Sequence, residues 1–89
     1  MPNEMELIDF LRDVIATACN CEVSRISRET ELDTVGLDSL SIASIAAHFC
    51  SRYQCDMTEE NMLDLFRART VAELLTVLCA VTSREPLTQ

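Results

Sequence analysis

The chain has 89 residues, of which 48% are hydrophobic and 4% aromatic, and it contains one glycine and two prolines. A chain of this length folds as one domain with a small core, and its scarce glycine and proline favour packed helices over a strand-rich sandwich. Fifteen acidic side chains face seven basic ones, all arginine, and the net charge of −8 at pH 7 disfavours nucleic acid and anionic membranes as partners. We expect basic proteins as partners instead.

The first predicted helix runs from Asn3 to about Cys19. Asn3 is followed three residues later by Glu6, which is the spacing of a capping box that satisfies the free amides of a first helical turn. The apolar residues that follow recur at three- and four-residue steps and lie on one helical face. They are Leu7, Leu11, Val14, Ile15 and Ala18.

A long polar segment, residues 20–37, separates the first helix from the second. Isolated apolar residues can pin such a segment to a helical core, and without them a loop of this length is uncommon in a compact domain. The residues expected to do so are Val23, Ile26, Leu32 and Val35. We predict an ordered loop with room for one short turn.

The second predicted helix begins at Asp38 or Ser39 and ends near Gln54, and a short third helix is capped by Thr58 and ends near Leu65. A buried stripe along the second helix follows from the apolar spacing. Its members are Ile45, Ala46, Phe49 and Tyr53.

The fourth predicted helix opens on a capping-box pattern of Thr70 and Glu73 and ends near Val81. Its inner face is predicted to hold Val71, Leu74, Leu75 and Leu78. Residues 83–89 are predicted to form a disordered tail. The resulting fold is all-α: a small four-helix bundle over residues 1–82, with a long loop between helices 1 and 2 and a short third helix.

The cysteine count and the hydropathy pattern bear on the location of the protein. Five cysteines are an odd number, and no signal-peptide pattern opens the chain, so a reducing cytoplasm is expected. The most apolar stretch, residues 74–81, is far shorter than a membrane span. Together with Met1 and the short tail, these features favour a free-standing polypeptide, which we expect to be a monomer.

The segment 36–40, Gly-Leu-Asp-Ser-Leu, contains the single glycine of the chain. Gly36 can adopt backbone angles closed to other residues and so turn the loop into the second helix. Asp38 is a strong N-cap candidate, and Ser39 then lies exposed in the first turn, where the amides and the helix dipole favour an added phosphate. The alternative is an ordinary cap without chemistry, since Asp-Ser before an apolar run is common.

Two segments carry a resemblance to a known family. Residues 33–40 (DTVGLDSL) match the loop-to-helix segment of carrier proteins, and residues 65–75 (LFRARTVAELL) look like the segment leading into the last helix of polyketide and peptide-synthetase carriers. With this spacing the chain resembles the acyl carrier protein family over residues 4–82. The resemblance implies that Ser39 bears phosphopantetheine, beside the capping Asp38.

The same resemblance implies partners and a role. A separate magnesium-dependent phosphopantetheinyl transferase delivers the arm from coenzyme A, and its thiol holds an acyl group as a thioester for acyl-transferring or condensing synthase enzymes. The carrier itself has no catalysis. Residues implied to touch partners are Leu37, Leu40, Ala43, Ala47, Glu59, Glu60 and Asp64, although any one of the acidic residues alone also fits a merely solvated face.

The subtype is less sharply indicated. Ser41 and Ser44 stand where fatty-acid carriers usually have carboxylates, which favours polyketide or related secondary-metabolite biosynthesis. A peptidyl or aminoacyl carrier is the first alternative, and a helical interaction module that has lost the arm is the second.

Catalytic and metal sites are not expected. Ser39 and His48 are nine residues apart in the sequence, on opposite sides of one helix and about 13 Å apart along its axis, so they cannot form a dyad. Cys19 and Cys21, like Cys50 and Cys55, lack the two-residue separation typical of zinc knuckles. We interpret the cysteines as small hydrophobic residues and predict no metal ion.

Overall fold

A computed structural model gives the structure of the protein and describes residues 3–83. Four α-helices and one turn of 3-10 helix follow one another: α1 (Glu4–Cys19), the 3-10 turn (Val23–Arg25), α2 (Ser39–Tyr53), α3 (Glu59–Arg67) and α4 (Val71–Ser83). The predicted all-helical bundle is confirmed. The predicted tail, residues 83–89, lies outside the described residues except for Ser83, which ends α4. None of the described helices has the length and apolar character needed to cross a membrane.

The helix ends follow local side-chain chemistry. The Asn3 side chain accepts a hydrogen bond from the Glu6 amide at 2.8 Å, and Thr58 and Asn61 form a complete capping box at the start of α3. At α4 the Glu73 amide donates to the Thr70 hydroxyl, as predicted, at 3.3 Å. The Glu73 carboxylate, however, accepts from the amide of Arg69, one residue earlier than in a standard capping box.

The core lies where α1, α2, α3 and α4 pack together. α1 packs against α2 and α4, and α3 packs against the same two helices. The side chain of Phe49 is fully buried, and its ring centroid lies 6.0 Å from that of Phe10 and 5.1 Å from that of Tyr53. The other large side chains that are fully buried are Leu7, Leu11, Ile15, Ile26, Leu65, Val71, Leu74 and Leu78.

The predicted inner faces are right in most positions. In α1, Leu7, Leu11 and Ile15 are buried as predicted and Val14 is partly buried, but Ala18 is exposed. Ala18 lies near the end of α1 and lines a surface groove between α1 and α2. Core residues that the predicted stripes omit are Ile8, Phe10, Ala16, Ile42 and Val81.

The loop between α1 and α2 is ordered by buried side chains and by backbone hydrogen bonds. Ile26, Leu32 and Leu37 are buried, and Val35 is partly buried. Val23, predicted to be an anchor, is 40% exposed, because it begins the 3-10 turn on the surface beside α1.

Three backbone hydrogen bonds join this loop to the connection between α3 and α4 and to the first turn of α4. The Leu32 amide donates to the Arg69 carbonyl at 2.9 Å, the Val71 amide to the Thr30 carbonyl at 3.0 Å, and the Ala72 amide to the Arg28 carbonyl at 2.9 Å. A single antiparallel bridge, Glu31 with Thr70, completes the junction. The loop is therefore fixed against the start of α4.

The two leucines of α3 differ in burial and test which face of this helix packs against the core. Leu65 is 0% exposed and Leu63 is 48% exposed. We expect Leu65→Ala to lower the free energy of unfolding by about 2–5 kcal/mol, because it removes buried methyl groups and leaves a cavity. Leu63→Ala, the matched control, should change it by about 1 kcal/mol or less. Urea denaturation followed by circular dichroism measures both, and equal losses would contradict the assignment.

Candidate functional site

Ser39 is the first residue of α2, and its side chain is exposed. The chain reaches it through a tight turn, in which the Gly36 amide donates to the Asp33 carbonyl at 3.1 Å and the Leu37 amide to the Leu32 carbonyl at 3.0 Å. Gly36 has a φ of +80°, in the left-handed region, although the space around it is open. The glycine is required by its backbone angle and not by crowding.

Asp38 caps α2. Its carboxylate accepts a hydrogen bond from the Ser41 amide at 2.9 Å, which confirms the N-cap role predicted from the sequence. Hydrogen bonds from the Ser41 backbone and, next, from its hydroxyl lower the pKa of the Asp38 carboxyl below the ordinary value of 3.8. The carboxylate is engaged by the first turn of the helix, which fixes the start of α2 next to Ser39.

A groove of about 780 Å³ opens beside Ser39. One wall comes from the loop, one from the start of α2, and the third from the end of α3 and its connection to α4. The lining residues are Leu32, Asp33, Leu37, Asp38, Ser39, Ile42, Phe66, Arg67, Ala68 and Arg69. Four of these side chains are charged, two of each sign: Asp33, Asp38, Arg67 and Arg69.

The residues that the sequence assigned to partner contact fall into two groups. Leu40 is 81% exposed, Ala47 is exposed and Ala43 is half-buried on α2. Leu37, by contrast, is only 6% exposed and belongs to the core. The acidic side chains predicted to lie beside them on α3 are exposed: Glu59, Glu60 and Asp64.

The structure does not bring Ser39 and His48 together. Both belong to the continuous helix α2, and His48 lines a different, smaller groove of about 330 Å³ between α1 and α2, together with Asp13. Within residues 3–83, no group of three or more histidine, cysteine or acidic side chains is arranged to hold a metal ion. The five cysteines are all partly buried and none is in a disulfide within the same range.

Phe66, Arg67 and Arg69 are groove residues that the sequence alone did not assign to the site. Phe66 is 42% exposed and shares the groove with Ser39. These residues lie in the second motif, residues 65–75, and only the folded chain shows that this motif faces the first. The sequence signal that could have identified these residues is that the two motifs occur together in one chain.

Comparison with known proteins identifies a family. Residues 9–78 match a family model described as "Phosphopantetheine attachment site". The match spans most of the chain and includes Ser39 and every residue that lines the groove. A search of curated proteins finds no match.

The Asp38 cap predicts a pH dependence. Because the pKa of Asp38 is lower in the folded chain than its ordinary 3.8, ionised Asp38 stabilises the fold above that pH. This contribution is lost as the pH falls through the lower, folded-state pKa. Asp38→Asn keeps an acceptor for the Ser41 amide but does not ionise. From about pH 5 to about pH 2 the melting temperature of the wild type should therefore fall more steeply than that of the variant. Identical slopes in thermal melts would contradict the assigned role.

Proposed function

Because the chain belongs to the phosphopantetheine-attachment-site family, we propose that it is an acyl carrier protein whose arm is attached at Ser39. Members of this family carry phosphopantetheine covalently. When attached, the arm supplies a thiol that holds an acyl group as a thioester. The observation that carries the assignment to Ser39 is its exposed hydroxyl at the edge of the groove, at the first residue of α2.

The surroundings of Ser39 fit a serine that is modified by another protein. A serine hydroxyl is a weak nucleophile without an adjacent base. The neighbouring carboxylate of Asp38 is held by the Ser41 amide and has a lowered pKa, which makes it a poor base. His48 lies in another groove. Activation of the hydroxyl is therefore left to a phosphopantetheinyl transferase, in keeping with a carrier that has no catalysis of its own.

The mechanism of such a carrier is presentation. A tethered substrate has a raised effective concentration at each partner's active site, provided that the tether can span the distance. The protein supplies a rigid attachment point, which the Gly36 turn and the Asp38 cap provide. We propose that the protein acts as a monomer in the cytoplasm and passes acyl groups among acyl-transferring or condensing synthase enzymes.

The polyketide or related secondary-metabolite subtype is proposed from the face of α2. Within α2, the exposed or half-buried residues of the two turns that follow Ser39 carry no carboxylate: Leu40, Ser41, Ala43, Ser44 and Ala47. This neutral face departs from the acidic helix expected of a fatty-acid carrier. A peptidyl or aminoacyl carrier is the alternative, and comparison of acyl and aminoacyl loading enzymes as donors distinguishes the two.

The proposed partner surface combines the exposed Leu40 with Ala43 and Ala47 on α2 and with the acidic side chains of α3. Apolar contact supplies the binding energy, and the acidic residues Glu59, Glu60 and Asp64 steer a basic partner. We leave Leu37 out of this surface because its side chain is buried.

Replacement of the proposed attachment residue tests the function directly. Incubation with coenzyme A and a broad-specificity transferase should add the mass of one phosphopantetheine to the wild type, as measured by intact-protein mass spectrometry. Ser39→Ala should abolish this addition because no acceptor oxygen remains. Ser44→Ala, which changes another exposed serine of α2, should load normally. A wild type that stays unmodified would instead favour an interaction module without the arm.

Leu40 tests the partner surface. Its side chain is 81% exposed, so Leu40→Ala should leave the melting temperature almost unchanged. Loss of its contact with the transferase should lower kcat/KM for loading about tenfold, which corresponds to about 1.4 kcal/mol of apolar contact. The control is Met5→Ala, an exposed apolar residue of α1, which should load at the wild-type rate. Equal rates for the two variants would place the surface elsewhere.

A further inference from the structure

Two arginines line the groove that contains Ser39. Arg67 ends α3, and Arg69 lies in the connection to α4. Elsewhere Arg28 pairs with Glu4 at 2.6 Å, and Arg52 lies over the ring of Phe10. Within residues 3–83, the guanidinium groups of Arg67 and Arg69 have neither an ion pair nor a hydrogen bond. Both side chains are exposed, so two cations are free to bind an anion in the groove of a chain whose net charge is −8.

We infer that Arg67 and Arg69 bind the phosphodiester that joins the arm to Ser39. This inference rests on the proposed function, since it takes Ser39 as the attachment residue. The phosphorus is bonded directly to the serine oxygen, so the phosphate has to lie at the edge of the groove, whatever direction the rest of the arm takes. Arginine presents a planar set of donors that matches the two free oxygens of a phosphodiester.

The charges already in the groove explain why such cations are needed. Asp33 and Asp38 line the groove as well, and the Asp38 carboxylate accepts a hydrogen bond from the Ser41 amide. A phosphodiester attached to Ser39 adds a third negative charge beside these two carboxylates, which repel it. Arg67 and Arg69 offset this repulsion.

The backbone of Arg69 is held in place relative to Ser39. Its carbonyl accepts the hydrogen bond from the Leu32 amide, in the loop that leads to Ser39. Its amide donates to the Glu73 carboxylate. This nearby carboxylate is therefore bonded to the Arg69 backbone and not to the Arg69 guanidinium. The guanidinium remains available, and only the side chain has to reorient when the phosphate is present.

Binding of the phosphate would restrict the first link of a flexible tether. The phosphate then remains at the groove while the remainder of the arm moves towards a partner. Arg67 could instead stabilise only the carboxyl end of the α3 dipole. In that case its guanidinium would not change when the arm is attached, whereas phosphate binding requires such a change.

The guanidinium Hε–Nε resonances of the full chain test the inference in the apo and loaded states. Loading is first established by intact mass. On loading, the Hε signals of Arg67 and Arg69 should shift, and their exchange with water should slow. The signal of Arg25, an exposed arginine that lines a separate groove, should not change. Raising the salt from about 0.1 M to about 1 M, where the Debye length falls from about 10 Å to about 3 Å, should reduce the shifts.

A variant with both arginines replaced, Arg67→Gln with Arg69→Gln, gives a second readout. Its loaded form should show a changed ³¹P resonance of the phosphodiester, whereas loaded Arg25→Gln should match the wild type. A loaded wild type whose Arg67 and Arg69 signals equal those of the apo chain, or shift no more than that of Arg25, overturns the inference and leaves the proposed function intact. A wild type that gains no mass contradicts the proposed function and removes the premise of this inference.

Discussion

The segment between α1 and α2 is held to the start of α4 by backbone hydrogen bonds from Leu32, Val71 and Ala72. A loop of this length pays a large conformational entropy on ordering, and its polar backbone groups need partners. The hydrogen bonds and the buried side chains of Ile26, Leu32 and Leu37 meet both needs. The same junction sets the two sides of the groove beside Ser39 at a fixed spacing, because one side is the loop and the other adjoins Arg69.

Once the loop is fixed, the position of Ser39 follows from two local features. Gly36 supplies a left-handed backbone angle, and Asp38 binds the first free amides of α2. The Ser39 side chain is exposed to solvent, and the neighbouring Asp38 carboxylate is engaged by the Ser41 amide. In the function proposed above, the protein positions this serine and a transferase activates it. This arrangement suits a carrier, whose contribution is a rigid base for a mobile arm.

The sequence predicted the helices well because caps and apolar periodicity are local signals. Asn3, Asp38, Thr58 and Thr70 all cap the helices that were predicted for them. The errors lie where burial depends on distant segments. Val23 and Ala18 are apolar but exposed, since each lines an open surface groove and not the core. The buried position of Leu37, and the location of Phe66, Arg67 and Arg69 beside Ser39, depend on the junction between the loop and α4, which no local pattern shows.

Locating the modification within the loaded chain tests the central claim most directly. Cleavage after arginine releases residues 29–52, which contain Ser39 together with Ser41, Ser44 and Ser51. Fragmentation of this peptide by tandem mass spectrometry should place a single phosphopantetheine on Ser39. Its presence on another serine, or its absence from this peptide, would contradict the account.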